Sequence, residues 1–194
     1  MGRLTEIGLK HKTDKAYEHS FTEVYEDYFK NYTDPNILEI GVYNGASMET
    51  YNEYFNYKCT ITGIDNGEQL GYASTHPNIS IVIADQSRPQ ELASRVGDTF
   101  DIIVDDGSHF VEHQINCFEA LKHKVKKGGI YIIEDLHACY HPFYNPNGVT
   151  HTVDYLLNLK KNLPNGIKNI SIFSDAPLDV VTNLSHITSV IEFY

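Results

Sequence analysis

The stretch Asn36-Ile-Leu-Glu-Ile-Gly41-Val-Tyr-Asn-Gly45-Ala-Ser47 joins a short apolar run to two closely spaced glycines. An apolar run of this length that ends in turn residues is typical of a buried strand. Ser47 is of a residue type that favours the start of a helix, here one that runs to about residue 57. The stretch therefore predicts a strand, a glycine turn and a helix.

Further apolar runs follow along the chain and alternate with helical patterns. They predict strands at 59–65, 79–85, 99–105 and 129–134, and helices at 111–124 and 152–162. Near-continuous apolar strands that alternate with helices indicate a parallel sheet covered on both faces. Two β-rich stretches at 169–173 and 186–193 should pair antiparallel at one edge. We predict an α/β, Rossmann-like fold with a mostly parallel, seven-stranded sheet and an antiparallel edge strand.

The domain organisation is expected to be simple. We predict a single domain over 1–194, with an N-terminal helical segment at 1–33 and a Rossmann-like core at 34–194. In the N-terminal segment, a polar lead-in precedes a capping box from Ser20 to Glu23 and an amphipathic helix. The sequence contains neither an internal repeat nor a linker typical of a second domain.

Composition narrows the possible function classes. The 194 residues include 15 Lys and Arg against 26 Asp and Glu, a formal net charge of −11, which argues against nucleic acid or an anionic membrane as main partner. Since no apolar run approaches the ~20 residues that span a bilayer, we expect no membrane insertion. Three widely spaced cysteines fit a reducing, cytoplasmic location, and 10 histidines suggest metal or proton chemistry.

Each of the first five predicted strands ends at or next to a carboxylate: Glu39, Asp65, Asp85, Asp105 with Asp106, and Glu134 with Asp135. Ligands of open α/β sheets bind outside the carboxyl ends of the strands, so the crevice should be strongly acidic. A dinucleotide is disfavoured because its pyrophosphate would face Glu39, and because Tyr43 and Ala46 replace two glycines of G-x-G-x-x-G. S-adenosylmethionine, which has a cationic centre and a ribose but no phosphate, fits better.

This interpretation assigns a part of the cofactor to each residue along the crevice. The alternative is that the crevice binds no cofactor and consists of a plain strand-to-helix turn with acidic helix caps. The expected contacts are Gly41 and Gly45 at the backbone turn with Ser47 beside them, Glu39 at the methionine end, Asp65 at the ribose, and Asp85 with Gln86 at the adenine edge.

Two neighbouring strands of this fold end in four carboxylates, Asp105, Asp106, Glu134 and Asp135. Converging carboxylates repel each other unless a cation holds them. All-oxygen ligation suits Mg²⁺, Mn²⁺ or Ca²⁺ rather than zinc, and the alternative is a solvated acidic rim without metal. His109 follows at the expected start of a helix capped by Ser108, where it is either a general base or a helix-start residue.

Several motifs occur together in one known family. They are the stretch 37–47, Ala84-Asp-Gln86, Phe100-Asp-Ile-Ile-Val-Asp-Asp-Gly-Ser-His109, His113-Gln114, Gly128-Gly-Ile-Tyr-Ile-Ile-Glu-Asp-Leu-His137, and Thr13-Asp-Lys15 with His19 and Tyr25. The sequence resembles the metal-dependent sugar O-methyltransferases of macrolide biosynthesis, the macrocin and mycinamicin type. These are class I S-adenosylmethionine-dependent methyltransferases grouped with the cephalosporin-hydroxylase-like family. The resemblance covers nearly the whole chain.

The resemblance implies roles for the residues at the ends of the fourth and fifth strands. Asp106, Glu134 and Asp135 would be the metal ligands, and Asp105 would face the cofactor. His109 would act as the general base on a hydroxyl of the acceptor.

Further contacts are expected on either side of this centre. Lys15 and His19 are expected to hold the carboxylate of the cofactor. His137 and Tyr140 are expected to contact the substrate, next to a substrate loop at 141–148. Larger relatives carry an additional N-terminal domain, so a homo-oligomer contact or a lid supplied by that domain stays open.

We therefore predict an S-adenosylmethionine- and divalent-metal-dependent O-methyltransferase that acts on a sugar hydroxyl, such as that of a deoxyhexose in a glycan or glycosylated natural product. Methylation of a catechol or other vicinal diol is the alternative, because metal chelation serves both. A nicotinamide oxidoreductase and a cofactor-binding accessory subunit are alternatives outside methyl transfer. The stretch His109-Phe-Val-Glu-His113 also matches the H-x-x-E-H zinc pattern, which is disfavoured because its first histidine directly follows Asp-Asp-Gly-Ser.

Overall fold

The computed structural model describes residues 1–97, 99–175 and 186–194. The strands in these ranges are β1 Asn36–Ile40, β2 Thr60–Asp65, β3 Ile79–Ile83, β4 Phe100–Asp105, β5 Val125–Ile133, β6 Ile167–Ser174 and β7 Ile187–Phe193. The α-helices are α1 Arg3–His11, α2 Asp14–Tyr17, α3 Phe21–Phe29, α4 Ala46–Tyr54, α5 Pro89–Arg95, α6 Val111–Leu121 and α7 Thr152–Lys161. Two 3₁₀ turns lie at Lys122–Lys124 and Leu136–Tyr140.

The described strands form one sheet in the order β3-β2-β1-β4-β5-β7-β6. Strands β1 to β5 pair in parallel, whereas β7 runs antiparallel to both β5 and β6. The prediction of a mostly parallel, seven-stranded sheet with an antiparallel edge pair is confirmed. In this pair β7 lies between β5 and β6, and β6 is the edge strand. The strand order reverses between β1 and β4, and open α/β sheets bind ligands at such a switch point.

Helices cover both faces of the sheet, as predicted. Along β4, Ile102 and Val104 point to one face and Ile103 points to the other, as the two-residue period of a strand requires. Helices α1, α3 and α4 pack on the first face, and α5, α6 and α7 pack on the second. The two buried layers fix the carboxyl ends of β1, β4 and β5 in one rigid frame.

The N-terminal segment differs from the predicted polar lead-in, because most of it is helical. Leu4 and Ile7 of α1 are buried beside α4, and the Arg3 guanidinium donates to the backbone carbonyl of Tyr54 at 2.8 Å. The capping box is also wrong: Ser20 has a left-handed backbone, with φ of 57°, and its side chain makes no capping hydrogen bond. Tertiary packing of a few apolar residues determines this segment, and it places Lys15 of α2 beside acidic residues at the ends of β1, β4 and β5.

Two other helices do not begin at the serines that were predicted to start them. Helix α4 is capped by Gly45, with φ of 74°, and Ser47 lies inside the helix. Helix α6 begins at Val111 after Phe110, so neither Ser108 nor His109 is its cap. In both places a left-handed residue turns the chain before the helix starts. Across the described ranges, helices long and apolar enough to cross a membrane are absent.

Candidate active site

The crevice at the β1–β4 switch point is closed at its base by backbone contact. Gly41, with φ of 91°, follows β1, and a Cβ at this position would collide with the backbone carbonyl of Asp106. The Asp106 amide donates to the Ile40 carbonyl at 2.9 Å, which ties the two loops together. Glycine is required at this turn because only a residue without a side chain allows such a close approach. The loops after β1 and β4 therefore form a single floor.

A buried lysine lies among the acidic side chains of this floor. Lys15 of α2 is 2% exposed, and its Nζ donates to Asp106 Oδ2 and, at 3.0 Å, to Glu134 Oε2. Its Nζ also lies 4.0 Å from Glu39 Oε1. One ammonium thus serves three carboxylates, and Oε1 of both Glu39 and Glu134 has no hydrogen-bond partner among the described residues.

Burial shifts the protonation of these groups. It raises the pKa of Glu39 to about 7, although Lys15 opposes the shift. It also raises the pKa of Glu134 well above its ordinary value, and the nearby Asp106 carboxylate acts in the same direction. Burial alone would lower the pKa of Lys15, but Asp106 and Glu134 outweigh it, so this pKa is raised. The lysine therefore stays charged, whereas burial favours the protonated forms of Glu39 and Glu134 as long as no further cation is bound.

Next to the lysine, the side chains of Asp106, His109 and Asp135 converge. One possible ligand atom from each lies within 4.8 Å of the other two. His109 Nε2 is 3.8 Å from Asp135 Oδ2, while His109 Nδ1 and Asp135 Oδ1 lack a hydrogen-bond partner in the described part of the chain. Both residues have left-handed backbones, with φ of 60° and 51°. Such strained residues cluster at functional sites, so this trio marks the candidate catalytic centre.

The predicted third ligand, Glu134, is outside this trio and pairs with Lys15. Its backbone is held firmly: its amide donates to the Asp105 carbonyl at 2.9 Å, and its carbonyl accepts from Gln114 Nε2 at 3.0 Å. Its carboxylate borders both Lys15 and Asp106. Glu134 thus stays a predicted ligand beside the trio of Asp106, His109 and Asp135.

Asp105 and Gln86 pair with each other. Gln86 Nε2 donates to Asp105 Oδ1 at 2.6 Å, and the Tyr131 hydroxyl donates to Asp105 Oδ2 at 3.2 Å. Gln86 Oε1 accepts from the Ser108 amide at 2.7 Å. This network fixes the loop that carries His109. Burial also raises the pKa of Asp105 to about 7.

The remaining predicted cofactor residues lie along the β1–β2 side of the crevice. Asp65 accepts from the amides of Val42 and Tyr43 at 3.1 and 3.2 Å, so it holds the glycine turn. Ser47 Oγ donates to Glu39 Oε2 at 2.8 Å and orients that carboxylate. Asp85 is exposed at the far end and accepts from the Ser87 amide.

The opposite side of the centre is lined by histidines. His137 Nδ1 lies 3.9 Å from Asp135 Oδ1, and the His137 ring is 6.3 Å from the ring of His186. His186 in turn contacts His19 through the Nδ1 atoms. Burial lowers the pKa of His137, against the effect of Asp135. The sequence prediction missed His186, because no local spacing relates a residue near β7 to the N-terminal segment.

An aromatic cluster near His109 was missed as well. The Tyr144 ring lies 6.1 Å from His109 and 5.6 Å from Phe110, and Phe143 lies 5.5 Å from Phe110 and is 62% exposed. The predicted substrate residue Tyr140 precedes this cluster, at the end of the 3₁₀ turn, and its ring packs on His151 at 4.8 Å. The aromatic residues at 110, 143 and 144 were the only sign of this cluster in the sequence. The H-x-x-E-H alternative is disfavoured because His113 bonds Ser108 Oγ at 2.7 Å instead of joining His109.

The strand order, the glycine turn and the acidic crevice define a class I, Rossmann-like methyltransferase fold. The chain belongs to the family described as methyltransferase domain, whose model matches residues 38–136, just over half of the chain. The predicted resemblance is thereby confirmed.

Curated relatives agree with the resemblance. Demethylmacrocin O-methyltransferase of Streptomyces fradiae is 33% identical over 187 residues, 89% of this chain and 46% of its own length. The 8-demethyl-8-alpha-L-rhamnosyl tetracenomycin-C 2'-O-methyltransferase of Streptomyces olivaceus is 32% identical over 153 residues, 73% of this chain and 39% of its own length. The chain therefore spans less than half the length of these relatives.

A solved structure matches almost the whole chain. It is MycE, a methyltransferase of the mycinamycin biosynthetic pathway, in complex with Mg, SAH and mycinamycin VI. The match has a TM-score of 0.78 and 25% identity, and it covers 99% of this chain and 53% of MycE.

Proposed function

We propose that this chain is the catalytic part of an S-adenosylmethionine- and divalent-metal-dependent O-methyltransferase that acts on a sugar hydroxyl. The observation that carries the proposal is the convergence of Asp106, His109 and Asp135 within 4.8 Å at the switch point of the sheet. Each of the three curated or solved relatives above is named as a methyltransferase, and the name of the Streptomyces olivaceus relative specifies 2'-O-methylation of a rhamnosyl compound.

The residues fit a hard divalent cation. Glu134 Oε1 and Asp135 Oδ1 are buried oxygens without a hydrogen-bond partner in the described residues, and carboxylate oxygens are what Mg²⁺ prefers. Asp106, Glu134 and Asp135 would hold the ion. When bound, the ion would lower the pKa of a coordinated hydroxyl, and S-adenosylmethionine would supply an electrophilic methyl group.

His109 would take the proton that the acceptor hydroxyl releases. Its Nδ1 has no hydrogen-bond partner among the described residues, and its Nε2 faces Asp135 at 3.8 Å. The carboxylate would stabilise the imidazolium that forms. The Gln86–Asp105 pair would position this histidine by fixing the loop at Ser108.

The cofactor would lie along the β1–β2 side of the crevice. The unpartnered oxygen of Glu39 suits the ammonium of the methionine end, with Ser47 orienting the carboxylate. Gly41 and Gly45 remain proposed backbone contacts, although a Cβ at Gly41 would meet the Asp106 carbonyl and a Cβ at Gly45 would meet the Tyr72 ring. The other proposed contacts are Lys15, His19, Asp65, Asp85, Gln86 and Asp105.

The acceptor would lie on the histidine and aromatic side. His137 and Tyr140 remain the proposed polar contacts. Phe143 offers an exposed ring next to the Tyr144–His109 pair, and aromatic faces pack well on the apolar faces of deoxyhexoses. Phe143→Ala should raise the KM for a deoxyhexose acceptor several-fold with little change in kcat. Tyr57→Ala, which removes another exposed ring, is the control.

A methyl-transfer screen tests the proposal. Free and glycosidic deoxyhexoses and a set of catechols are incubated with S-adenosylmethionine and MgCl₂, and methylated products are detected by mass spectrometry. Methylation of a glycosidic deoxyhexose is the expected result, whereas catechol products alone would assign the vicinal-diol alternative. Calorimetry with S-adenosylmethionine and with NAD separates the cofactors, since binding of NAD alone would overturn the proposal.

A further inference from the structure

Lys15 has an unusual position for a lysine. Among the described residues it is the one buried lysine, and its Nζ lies between Asp106, Glu134 and Glu39. Buried ammonium groups are costly unless they are paired, and this one is paired with more than one carboxylate. The sequence predicted a different role for Lys15, which was to bind the carboxylate of the cofactor.

The lysine occupies the oxygens that a metal would need. Two of its partners, Asp106 and Glu134, are proposed metal ligands, and its Nζ takes one oxygen from each. A divalent cation at bonding distance from the same oxygens would repel the ammonium strongly. Its third partner is not a proposed ligand: Glu39 Oε1 lies 4.0 Å away and has no hydrogen-bond partner in the described ranges.

We propose that Lys15 is the internal counter-ion of the metal ligands: its ammonium pairs with Asp106 and Glu134 in the metal-free protein, and a divalent cation displaces it from their oxygens. This inference rests on the proposed metal-dependent function. Lys15 is thus a positioning residue that keeps the ligands together before loading and competes with the ion for them. A merely structural salt bridge would lack this competition.

Calorimetric titration with MgCl₂ tests the competition without any turnover. Lys15→Met removes the charge but keeps much of the side-chain length, so the dissociation constant for Mg²⁺ should fall about tenfold or more, because the site gains one net negative charge. Lys10→Met is the matched control, since Lys10 pairs with Glu53 on the exposed surface, and its Mg²⁺ affinity should equal that of the wild type.

The outcomes separate the inference from the function on which it rests. Tighter binding by Lys15→Met supports the inference. Unchanged or weaker binding by this variant, with normal binding by the wild type, overturns the inference and leaves the proposed function intact. Absence of Mg²⁺ binding to both proteins overturns the two together.

A measurement on the wild type covers the case in which Lys15→Met does not fold. In protein labelled with ¹⁵N-lysine, the buried Lys15 ammonium should give a slowly exchanging NH₃⁺ resonance. Saturating MgCl₂ should shift this resonance or broaden it beyond detection, because Nζ leaves Asp106 and Glu134. A resonance that stays unchanged while calorimetry shows saturation would overturn the inference.

Discussion

Two aspartates near opposite ends of strand β4, Asp101 and Asp106, differ in the burial and charge of their surroundings. Near the amino end, Asp101 Oδ2 accepts from the Asn36 amide and from Lys126 Nζ, both at 2.8 Å, and the lysine is 40% exposed. Just past the carboxyl end, Asp106 shares the fully buried Lys15 with two other acids. Both ends thus pair an aspartate with a lysine.

The difference between the two ends lies in charge balance and burial. At the amino end, one carboxylate meets one lysine and one backbone amide, as expected for a link between neighbouring strands. At the carboxyl end, one ammonium faces three carboxylates, and buried oxygens of Glu39 and Glu134 lack a partner in the described residues. Since buried oxygens without a partner cost stability, these oxygens are best explained by a cationic ligand.

The largest contrast should come from neutralising each aspartate. Asp106→Asn should lower kcat/KM for methyl transfer by about 10³-fold, because it removes a ligand of the ion that activates the hydroxyl. Asp101→Asn, the matched change at the other end of the strand, should leave kcat/KM within about threefold. Steady-state assays at saturating MgCl₂ measure both. Equal losses in the two variants would remove the functional distinction between the ends.

The proposed base should give the next largest effect. His109→Ala should lower kcat by about 10²- to 10⁴-fold, the usual contribution of a general base. His123→Ala, at an exposed position in the 3₁₀ turn after α6, serves as the control. Single-turnover rates with bound acceptor give the comparison. If His109→Ala keeps the wild-type rate, a group other than His109 accepts the proton of the acceptor hydroxyl.

Mg²⁺ should stabilise only a protein with intact carboxylates at the crevice. At a concentration of about 100 times Kd, a ligand adds about 2.7 kcal/mol, which for a chain of this size is a rise in Tm of roughly 5–10 °C. Asp101→Asn should show the same rise, and Asp106→Asn should lose most of it. Scanning fluorimetry with MgCl₂ and with EDTA measures the shift. A full rise in Asp106→Asn would place the ion outside the crevice.

The smallest effect is expected at the amino end. Lys126→Met should lower the free energy of unfolding by about 1 kcal/mol or less, as is usual for exposed ion pairs. The Mg²⁺-dependent rise in Tm should stay as in the wild type. Urea unfolding with and without MgCl₂ checks both statements, and a changed Mg²⁺ response would show that the two ends of β4 are coupled.

The sheet could be predicted from the sequence because its signals are local. The apolar runs that became β1 to β5 end at turn residues, and each carries its acid at the carboxyl end. The positions of Asp106 and Glu134 in one crevice follow from strand order alone. Helix α3 was predicted, but α1 and α2 lie where the sequence predicted a polar lead-in, because Leu4 and Ile7 of α1 are buried only through packing on α4.

The site could be predicted as a set of residues, but not as a network. Long-range contacts such as Lys15 with Glu134, or His19 with His186, leave no spacing pattern in the chain. Turn geometry was missed for a related reason. The left-handed backbones of Ser20 and His109 depend on the tertiary structure around them, so serines that look like helix caps serve other purposes.

The central claim is that the acidic crevice works as a metal-dependent methyl-transfer site. The most direct measurement is the rate of methyl transfer from S-adenosylmethionine to a rhamnosylated acceptor by the wild-type protein, first in EDTA and then after excess MgCl₂ is added. We predict that turnover is lost in EDTA and returns with MgCl₂. Turnover that continues at full rate in EDTA would contradict the claim.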